Sequence, residues 1–420
     1  MRRLLRADED HEDAQTLVAG KPVVGSRRNE RGLALLDRDR LAFDRQGSAS
    51  RKHDIQLVVL VRNLVVGLGS DEHIDADLEP RRVVHDLVAA VRGGEALANR
   101  LDLERIHPAS LGEDVRDVQR ESVILTVNAG STSLKRHLVS GSETRAVASF
   151  EPADAVGHRV VHGGATFREP VALDDAVLEA IEALIPLAPL HNQPALQAIR
   201  DAKTALPDLV HVGVFDTAFH ASIPEEAATY AVPRNWRESW GVRKYGFHGL
   251  AVQWVASQVE VERLVVCHLG GGCSVTAVRG GSSVDTSMGF SPLEGVPMAT
   301  RSGSVDPGAL LYLLRERGVS VDELDRVLEH ESGLLALGGL DDPLGFAVLT
   351  YRVAAAVGQM VTALGGLDLL AFSGGVGENR ADVRDAVAER LRFWGDFSVE
   401  VVPAREELVI AAAVRALLGL

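Results

Sequence analysis

Two arginines in this chain lie in sequence surroundings that suit the binding of anionic oxygens. Arg159 interrupts an apolar segment bounded by glycines, GHRVVHGG (residues 157–164), and Arg301 lies among small residues in MATRSGSVDP (residues 298–307). A guanidinium group without a role would prefer solvent, whereas one that faces a cleft can make a two-point contact with a carboxylate or phosphate. We therefore expect both arginines to bind anions.

An aspartate and a histidine extend this set. Asp216, in FDTAFH (residues 215–220), follows a predicted strand at the carboxyl end, where α/β proteins usually bind ligands; an N-cap for the next helix is an equally good interpretation. His248, in the tight turn KYGFHG (residues 244–249), is either a hydrogen-bonded structural residue or a donor to a phosphoryl oxygen.

His158 and His162 are four residues apart, a spacing that would align two metal ligands on a helix. The neighbouring valines and glycines favour a strand instead, and no third ligand is evident. The sequence therefore favours structural histidines over a zinc site.

Three glycine-rich turns each follow an apolar strand. They are VNAGSTSLK (residues 127–135), CHLGGGCS (residues 267–274) and SGGVGEN (residues 373–379). Such turns expose backbone N–H groups that can bind phosphate oxygens without a side chain in the way. Neither a Walker A motif nor GxGxxG is present, and no serine or cysteine nucleophile stands with a base. The set predicts phosphoryl transfer, in which the protein positions reactants and neutralises charge.

Short apolar strands alternate with amphipathic helices from residue 123 onward, which predicts an α/β fold. The strand–glycine–serine–strand pattern occurs twice, at 123–135 and 264–278, which indicates two lobes of similar topology. Further strands are predicted at 210–215, 369–372 and 399–402, and helices at 176–185, 350–364, 381–391 and 406–418.

The length, net charge and cysteine content of the chain indicate how many domains it can hold, which partners it is expected to bind and in which compartment it is expected. A chain of 420 residues can hold two or three domains, and a net charge of −15 argues against nucleic acid or an anionic membrane as the main partner. The spacing of the only cysteines, Cys267 and Cys273, matches no zinc or redox signature, so we expect reduced thiols. No signal peptide is evident, which favours the cytoplasm.

Residues 1–121 differ from the rest of the chain. They are rich in Arg and Asp with a single aromatic residue, Phe43, and show only a strand or short helix at 55–68 and a helix at 83–92. We interpret them either as a poorly packed or disordered extension or as the product of a wrongly assigned start codon. Limited proteolysis is expected to leave a stable fragment that begins near Ser122.

Ten motifs resemble, in order, the successive motifs of the acetate kinase (acetokinase) family from residue 123 almost to the C-terminus. They are VNAGSTSLK, GHRVVHGG, APLHNQPAL, VFDTAFH, GVRKYGFHG, CHLGGGCS, DTSMGFSPLEG, TRSGSVDP, SGGVGEN and REELVIA. The resemblance implies the two-lobed actin-like ATPase fold, with ribonuclease H-like duplicated lobes and a nucleotide cleft between them. On this basis we expect a first lobe of residues 122–215 plus 403–420 and a nucleotide-binding second lobe of residues 216–402.

The resemblance also implies an activity: reversible transfer of a phosphoryl group from ATP to acetate, giving ADP and acetyl phosphate, with Mg²⁺ or alternatively Mn²⁺. It implies a homodimer. A kinase for propionate or butyrate and a non-catalytic nucleotide-binding relative are the competing interpretations. Gly271 stands where many relatives have asparagine, which removes an amide donor to phosphate, and the segment between Asn128 and Arg159 is short for the family.

The resemblance carries a role to each matched residue. Arg159 and Arg301 would bind the acetate or acetyl-phosphate anion, His248 would donate to the transferring group, and Asp216 would orient this machinery, with His191 near the phosphoryl path. The expected nucleotide-binding residues are Ser131, Ser133, Lys135, His268, Gly270, Gly271, Gly272, Gly374, Gly375, Gly377 and Asn379. The expected acetate pocket consists of Arg159, Val161, Leu190, Phe247 and Pro292, and the expected metal residues are Asn128 and Glu406.

Overall fold

A computed structural model describes residues 121–130 and 134–420 of the chain. The elements predicted at 55–68 and 83–92 lie outside these residues, as do Ser131 and Ser133 of the first glycine turn. Within the described part, helices pack on two mixed β-sheets.

The first sheet has six strands in the order β3-β2-β1-β4-β6-β5. Strands β1 and β2 are antiparallel, which confirms the hairpin predicted at the first glycine turn, and β4 and β6 continue the sheet in parallel. The strands are β1 (Val123–Ala129), β2 (Leu134–Ser140), β3 (Glu143–Ala146), β4 (Ala155–Val160), β5 (Val171–Ala172) and β6 (Val210–Phe215).

The second sheet has five strands in the order β11-β10-β7-β8-β9. Its antiparallel β7–β8–β9 meander and its parallel strands β10 and β11 repeat the arrangement of β1–β2–β3, β4 and β6 in the first sheet. This duplication agrees with the predicted actin-like fold class. The strands are β7 (Arg263–Leu269), β8 (Cys273–Arg279), β9 (Ser282–Thr286), β10 (Leu369–Ser373) and β11 (Ser398–Val401).

The helices cover both sheets. They are α1 (Asp175–Glu182), α2 (Pro189–Ala205), α3 (Glu225–Ala228), α4 (Arg234–Ser239), α5 (Gly249–Gln258), α6 (Pro307–Glu316), α7 (Val321–His330), α8 (Gly333–Ala336), α9 (Pro343–Leu364), α10 (Gly374–Asn379), α11 (Ala381–Leu391) and α12 (Glu406–Leu418). Short 3₁₀ helices span Ile185–Leu187, Asp216–Ser222 and Arg392–Trp394.

Two predicted boundaries are wrong. The helix predicted at 350–364 begins at Pro343, because Asp342 caps it by accepting a hydrogen bond from the Leu344 backbone N–H at 2.8 Å. The third glycine turn is not a loop: β10 leads directly into α10, since Gly374 adopts a φ of +78° that a side chain would disfavour.

Helix α9 is the one helix of the described residues that is long and apolar enough to cross a membrane, with 22 residues and an 18-residue segment whose mean hydropathy is 1.4. Its buried side chains, among them Leu349, Val353 and Val357, belong to the core on the second sheet together with Val265 and Phe372. Packing within the chain therefore accounts for its apolar character.

The C-terminal helix α12 returns to the first sheet. Ile410 and Val414 pack there against Gly157 of β4, where a Cβ atom would lie only 2.5 Å from Ile410 Cγ2. This close packing sets Glu406, in the first turn of α12, beside the ends of β1 and β4. The limits of the two predicted lobes stay a prediction.

Candidate active site

The central contact of the site joins Arg159 to Asp216. Arg159 lies at the end of β4, and Asp216 follows β6 as the first residue of the 3₁₀ helix. Arg159 Nη2 donates to Asp216 Oδ2 at 2.5 Å, and Nε lies 3.2 Å from both carboxylate oxygens. The Asp216 side chain therefore orients the arginine and makes no cap of its own helix, so the alternative N-cap interpretation of this residue is wrong.

Asn128 and Glu406 complete this group. Asn128 is in register with Arg159 on the neighbouring strand, and its Oδ1 accepts from Arg159 Nη1 at 3.1 Å. Its Nδ2 donates to Glu406 Oε2 at 2.6 Å, and that carboxylate oxygen also lies 3.9 Å from Arg159 Nε. The two residues expected at the metal are thus adjacent.

Burial and charge act in opposite directions on this group. Burial raises the pKa of Asp216, and the charge and hydrogen bonds of Arg159 oppose that rise. Burial also acts to raise the pKa of Glu406, but Arg159, His268 and the Asn128 amide outweigh it, so the pKa of Glu406 is lowered. Glu406 is therefore ionised at neutral pH and can accept a cation or a hydrogen bond.

A second group forms around Gly272. A Cβ atom at this position would lie 2.9 Å from His248 Nε2 and 3.2 Å from Arg301 Nη2. Glycine therefore lets the imidazole and the guanidinium both approach the backbone closely, and a side chain at this position would displace one of them. On its far side His248 Nδ1 lies 3.0 Å from Ser274 Oγ, and Arg301 Nη1 donates to the Pro292 carbonyl at 2.9 Å.

The two groups share one electrostatic environment. Burial is the main reason that the pKa of His248 is lowered well below its usual range, and His268, Arg159 and Arg301 lower it further. The pKa of His191, in the first turn of α2, falls to about 4, mainly through burial and then through the charges of Arg301 and Arg159. Both imidazoles are therefore neutral at neutral pH, and the charges of both arginines act on each of them.

The second and third glycine turns lie against each other. A Cβ at Gly270 would lie 3.7 Å from the Gly375 backbone nitrogen, and one at Gly374 would lie 2.7 Å from the Leu269 carbonyl oxygen. The ring of His268 lies beside that of His248, with 4.6 Å between the centroids and an angle of 45° between the ring planes. Close backbone approach is what these glycines permit, and it leaves Gly271, where a Cβ would meet nothing within 4 Å, open to the surroundings.

Three further residues were expected at the nucleotide, and they differ in their surroundings. Gly377 is buried in α10, and Asn379 Nδ2 donates to the Gly375 carbonyl at 2.8 Å. Lys135 is an exposed residue of β2 opposite Asn128.

Among the expected pocket residues, Val161 and Phe247 are buried in the same apolar core, and Pro292 is also buried. Leu190 differs from these three, because it is 37% exposed at the start of α2.

The donor set suits Mg²⁺ only in part. Mg²⁺ prefers oxygen ligands and commonly takes one or two carboxylates together with substrate phosphates and water. Glu406 offers such a carboxylate, whereas the Asn128 amide oxygen already accepts from Arg159. Among the described residues no group of three or more His, Cys, Asp or Glu side chains is placed to hold a metal by itself. The residues therefore fit a metal that a phosphate ligand helps to hold.

The histidines predicted to be structural have local partners. His158 lies in strand β4, as its neighbours predicted, with its Nε2 2.9 Å from His211 Nδ1. His162 Nδ1 accepts from the Gly164 backbone N–H at 2.9 Å. Cys267 and Cys273 are both free and buried.

Sequence reasoning missed Glu378 of the third turn. Its Oε1 accepts backbone hydrogen bonds from Gly374 at 3.0 Å and from Ala404 at 3.1 Å. It therefore links the glycine turn to the segment that leads into Glu406. The residue stands inside the motif SGGVGEN, but its type alone gives no signal for a contact 26 residues further along the chain.

Comparisons with known proteins give one consistent answer. The sequence profile of the acetokinase family matches residues 142–408. An acetate kinase from a Synechococcus species is 48% identical over 264 residues, which cover 57% of this chain and 65% of that protein. An acetate kinase from Natranaerobius thermophilus is 41% identical over 312 residues, which cover 63% of this chain and 78% of that protein.

Solved structures agree with the sequence comparisons. A propionate kinase from Francisella tularensis superposes with a TM-score of 0.64 at 32% identity, over 70% of this chain and 98% of that one. The acetate kinase of Porphyromonas gingivalis superposes with a TM-score of 0.64 at 29% identity, over 71% of this chain and 100% of that one.

Proposed function

Because this chain belongs to the acetokinase family, we propose that it is an acetate kinase, which transfers a phosphoryl group reversibly from ATP to acetate and gives ADP and acetyl phosphate. The supporting observation is that His248 Nε2 and Arg301 Nη2 both lie close to Gly272, and that the charge of Arg159 also acts on the His248 imidazole. Positive and neutral donors converge there, as phosphoryl transfer requires.

The residues suit the charge that develops in the reaction. An acetate oxygen attacks the γ-phosphorus while the bond to the ADP oxygen breaks, and negative charge spreads over the three equatorial oxygens. Arg301 and Arg159 offset this charge, and Asp216 holds Arg159 in one orientation throughout. A neutral His248 whose Nδ1 accepts from Ser274 carries its hydrogen on Nε2, and it can donate that hydrogen to an equatorial oxygen.

Glu406 is the residue that would hold Mg²⁺, with Asn128 fixing the orientation of its carboxylate. The metal would supply charge neutralisation on the phosphates of ATP. Asn128 acts in this scheme through its two hydrogen bonds, because its amide oxygen is engaged by Arg159.

Acetate would bind with its carboxylate toward Arg159 and its methyl group toward Val161, Phe247 and Pro292. All three side chains are apolar and buried, so the methyl group would be shielded from water. One additional methylene changes binding by only about 1–3 kcal/mol in such a pocket, so propionate is expected to be a slower alternative substrate.

The glycine turns at 270–272 and 374–377 would hold the nucleotide, with Ser131, Ser133 and Lys135 on its phosphate side. A homodimer, a cytoplasmic location and the two lobes 122–215 plus 403–420 and 216–402 belong to the same proposal and rest on the family resemblance.

Trapping of acetyl phosphate with hydroxylamine tests the proposal. Protein supplied with ATP, Mg²⁺ and acetate should form acetohydroxamate, and should form less product with propionate at equal concentration. Binding of ATP without any acyl hydroxamate from acetate, propionate or butyrate would instead indicate a non-catalytic nucleotide-binding protein. Butyrate as the best acceptor would correct the substrate.

A further inference from the structure

The turn that carries His248 has an unusual backbone. His248 has φ 60° and ψ 24°, and it is the only residue other than glycine at positive φ in the part of the chain that the structure describes. A side chain disfavours this left-handed conformation, so the residues around the turn must hold it in place. Strain of this kind tends to persist at functional positions, where the surroundings determine it.

His220 contacts the turn through the residue before His248. His220 Nε2 lies 2.9 Å from the Phe247 carbonyl oxygen, and its Nδ1 lies 2.9 Å from Ser283 Oγ. A carbonyl oxygen can only accept, so Nε2 carries the hydrogen and Nδ1 accepts from the Ser283 hydroxyl. Both ring nitrogens of this buried histidine thus make hydrogen bonds. The bond with Ser283 fixes the tautomer in which Nε2 can donate to the Phe247 carbonyl.

The glycines of the turn bring it directly onto the 3₁₀ helix Asp216–Ser222. A Cβ at Gly246 would lie 2.6 Å from His220 Cγ, and one at Gly249 would lie 1.8 Å from the Asp216 carbonyl oxygen. This short helix therefore carries Asp216, which orients Arg159, and also His220, which contacts the turn of His248.

We propose that His220 is a positioning residue for phosphoryl transfer: by donating to the Phe247 carbonyl it holds the peptide before His248 so that His248 Nε2 stays beside Gly272 and close to Arg301 Nη2. His220 acts through His248 and has no contact of its own with the reacting atoms. The inference rests on the proposed function, because it assumes that His248 assists the transfer.

Replacement of His220 by phenylalanine keeps an aromatic ring but removes both hydrogen bonds. We expect His220→Phe to lower kcat about 100-fold, the loss typical of a misplaced catalytic group, with KM for ATP and acetate within about threefold of wild type. His220→Gln, which keeps a terminal amide donor, should recover part of kcat. Ser283→Ala removes the hydroxyl that donates to His220 Nδ1, so the tautomer of His220 is no longer fixed, and it changes the fold less than His220→Phe does. This variant should lower kcat about tenfold.

His211→Phe is the matched control. His211 also donates from Nε2 to a backbone carbonyl, that of Leu206 at 3.0 Å, but it lies on β6 with no contact to the turn. This variant should lose thermal stability with kcat close to wild type. An equal loss of kcat in His211→Phe would show that removing any such histidine impairs the enzyme, and would overturn the proposal.

A double-mutant cycle separates positioning from a general structural effect. In a His248→Ala background, His220→Phe should lower kcat by less than about twofold further, because residues that act as a unit are not additive. Losses that multiply, or a His220→Phe variant with wild-type kcat, would overturn the inference. The proposed function fails by a different result, namely absence of acyl phosphate from the wild-type protein, and the role of His248 fails if His248→Ala has normal turnover.

Discussion

Asn128 and Arg159 lie opposite each other in register on β1 and β4, and Arg159 Nη1 donates a 3.1 Å hydrogen bond to Asn128 Oδ1. The same amide donates from Nδ2 to Glu406 at 2.6 Å. Only one orientation of the amide satisfies both partners, because the guanidinium can only donate and the carboxylate accepts. One small side chain thereby couples the anion-binding arginine to the carboxylate proposed for the metal.

Removal of this coupling should weaken metal use. Asn128→Ala leaves Glu406 without its 2.6 Å hydrogen bond, so its carboxylate is no longer fixed in orientation. We expect the Mg²⁺ concentration for half-maximal activity to rise about 10–100-fold, as for other residues that orient a metal ligand. Titration of activity with Mg²⁺ measures this, with Asn235→Ala on the exposed surface of α4 as the control. An unchanged titration in Asn128→Ala would separate Asn128 from the metal.

Two neighbouring glycines of the second turn provide a matched pair. An alanine Cβ at Gly272 would lie 2.9 Å from His248 Nε2, whereas one at Gly271 would meet nothing within 4 Å. Gly272→Ala should therefore displace His248 or Arg301 and lower kcat about 100-fold. Gly271→Ala should leave kcat close to wild type, and because Gly271 belongs to the turn proposed to hold the nucleotide, any effect should appear in KM for ATP. Steady-state kinetics of both variants decides the point, and equal losses of kcat would mean that any side chain in this turn, and not the contact with His248, limits activity.

Arg301 is predicted to act in the transition state. Arg301→Ala should lower kcat about 10²–10³-fold, the usual loss when one preorganised donor is removed. Circular dichroism should show an intact fold, although the nearby Glu329, 3.8 Å from Arg301 Nε, loses its counter-charge. Arg234→Ala, which removes an exposed arginine of α4, is the control. Near-normal turnover in Arg301→Ala would remove this residue from the mechanism.

Several site residues could be predicted from the sequence because charged residues stand in local sequences where they are unusual. Arg159 in an apolar strand and Arg301 among small residues both suggested a cleft, and both are nearly buried, with side chains 11% exposed. The repeated strand–glycine–serine–strand pattern likewise predicted the two related sheets, since each turn had to follow a buried strand.

Other relationships depend on tertiary packing that no local pattern records. The role of Asp216 stayed open in the sequence, because an aspartate after a strand caps a helix as readily as it binds an arginine, and only the alignment of β4 with β6 decides between them. The contacts of Glu378 with Ala404 and of His220 with Phe247 depend on segments distant in sequence. The start of α9 at Pro343 is a different case, because the sequence does contain a local signal for it: Asp342 and Pro343 form a typical helix start, and the prediction of 350–364 overlooked it.

Buried neutral histidines should make the protein sensitive to acid. His162 is fully buried between the rings of Tyr245 and Phe247, and burial lowers its pKa to about 4 from an ordinary value of 6.5. Between these two values the unfolded chain binds a proton at this residue and the folded protein does not. Its contribution to stability is therefore complete above about pH 6.5 and is lost as the pH falls toward 4.

Urea unfolding at several pH values measures this effect. The free energy of unfolding should fall by about 1 kcal/mol per pH unit from this residue between pH 6.5 and 4. In His162→Gln the slope over that interval should be shallower by that amount, even if the variant is less stable at pH 7. His330→Gln, at the exposed end of α7, is the control for removing a histidine from the surface. Equal slopes in wild type and His162→Gln would mean that His162 binds its proton equally well in the folded protein and in the unfolded chain, and would contradict the lowered pKa.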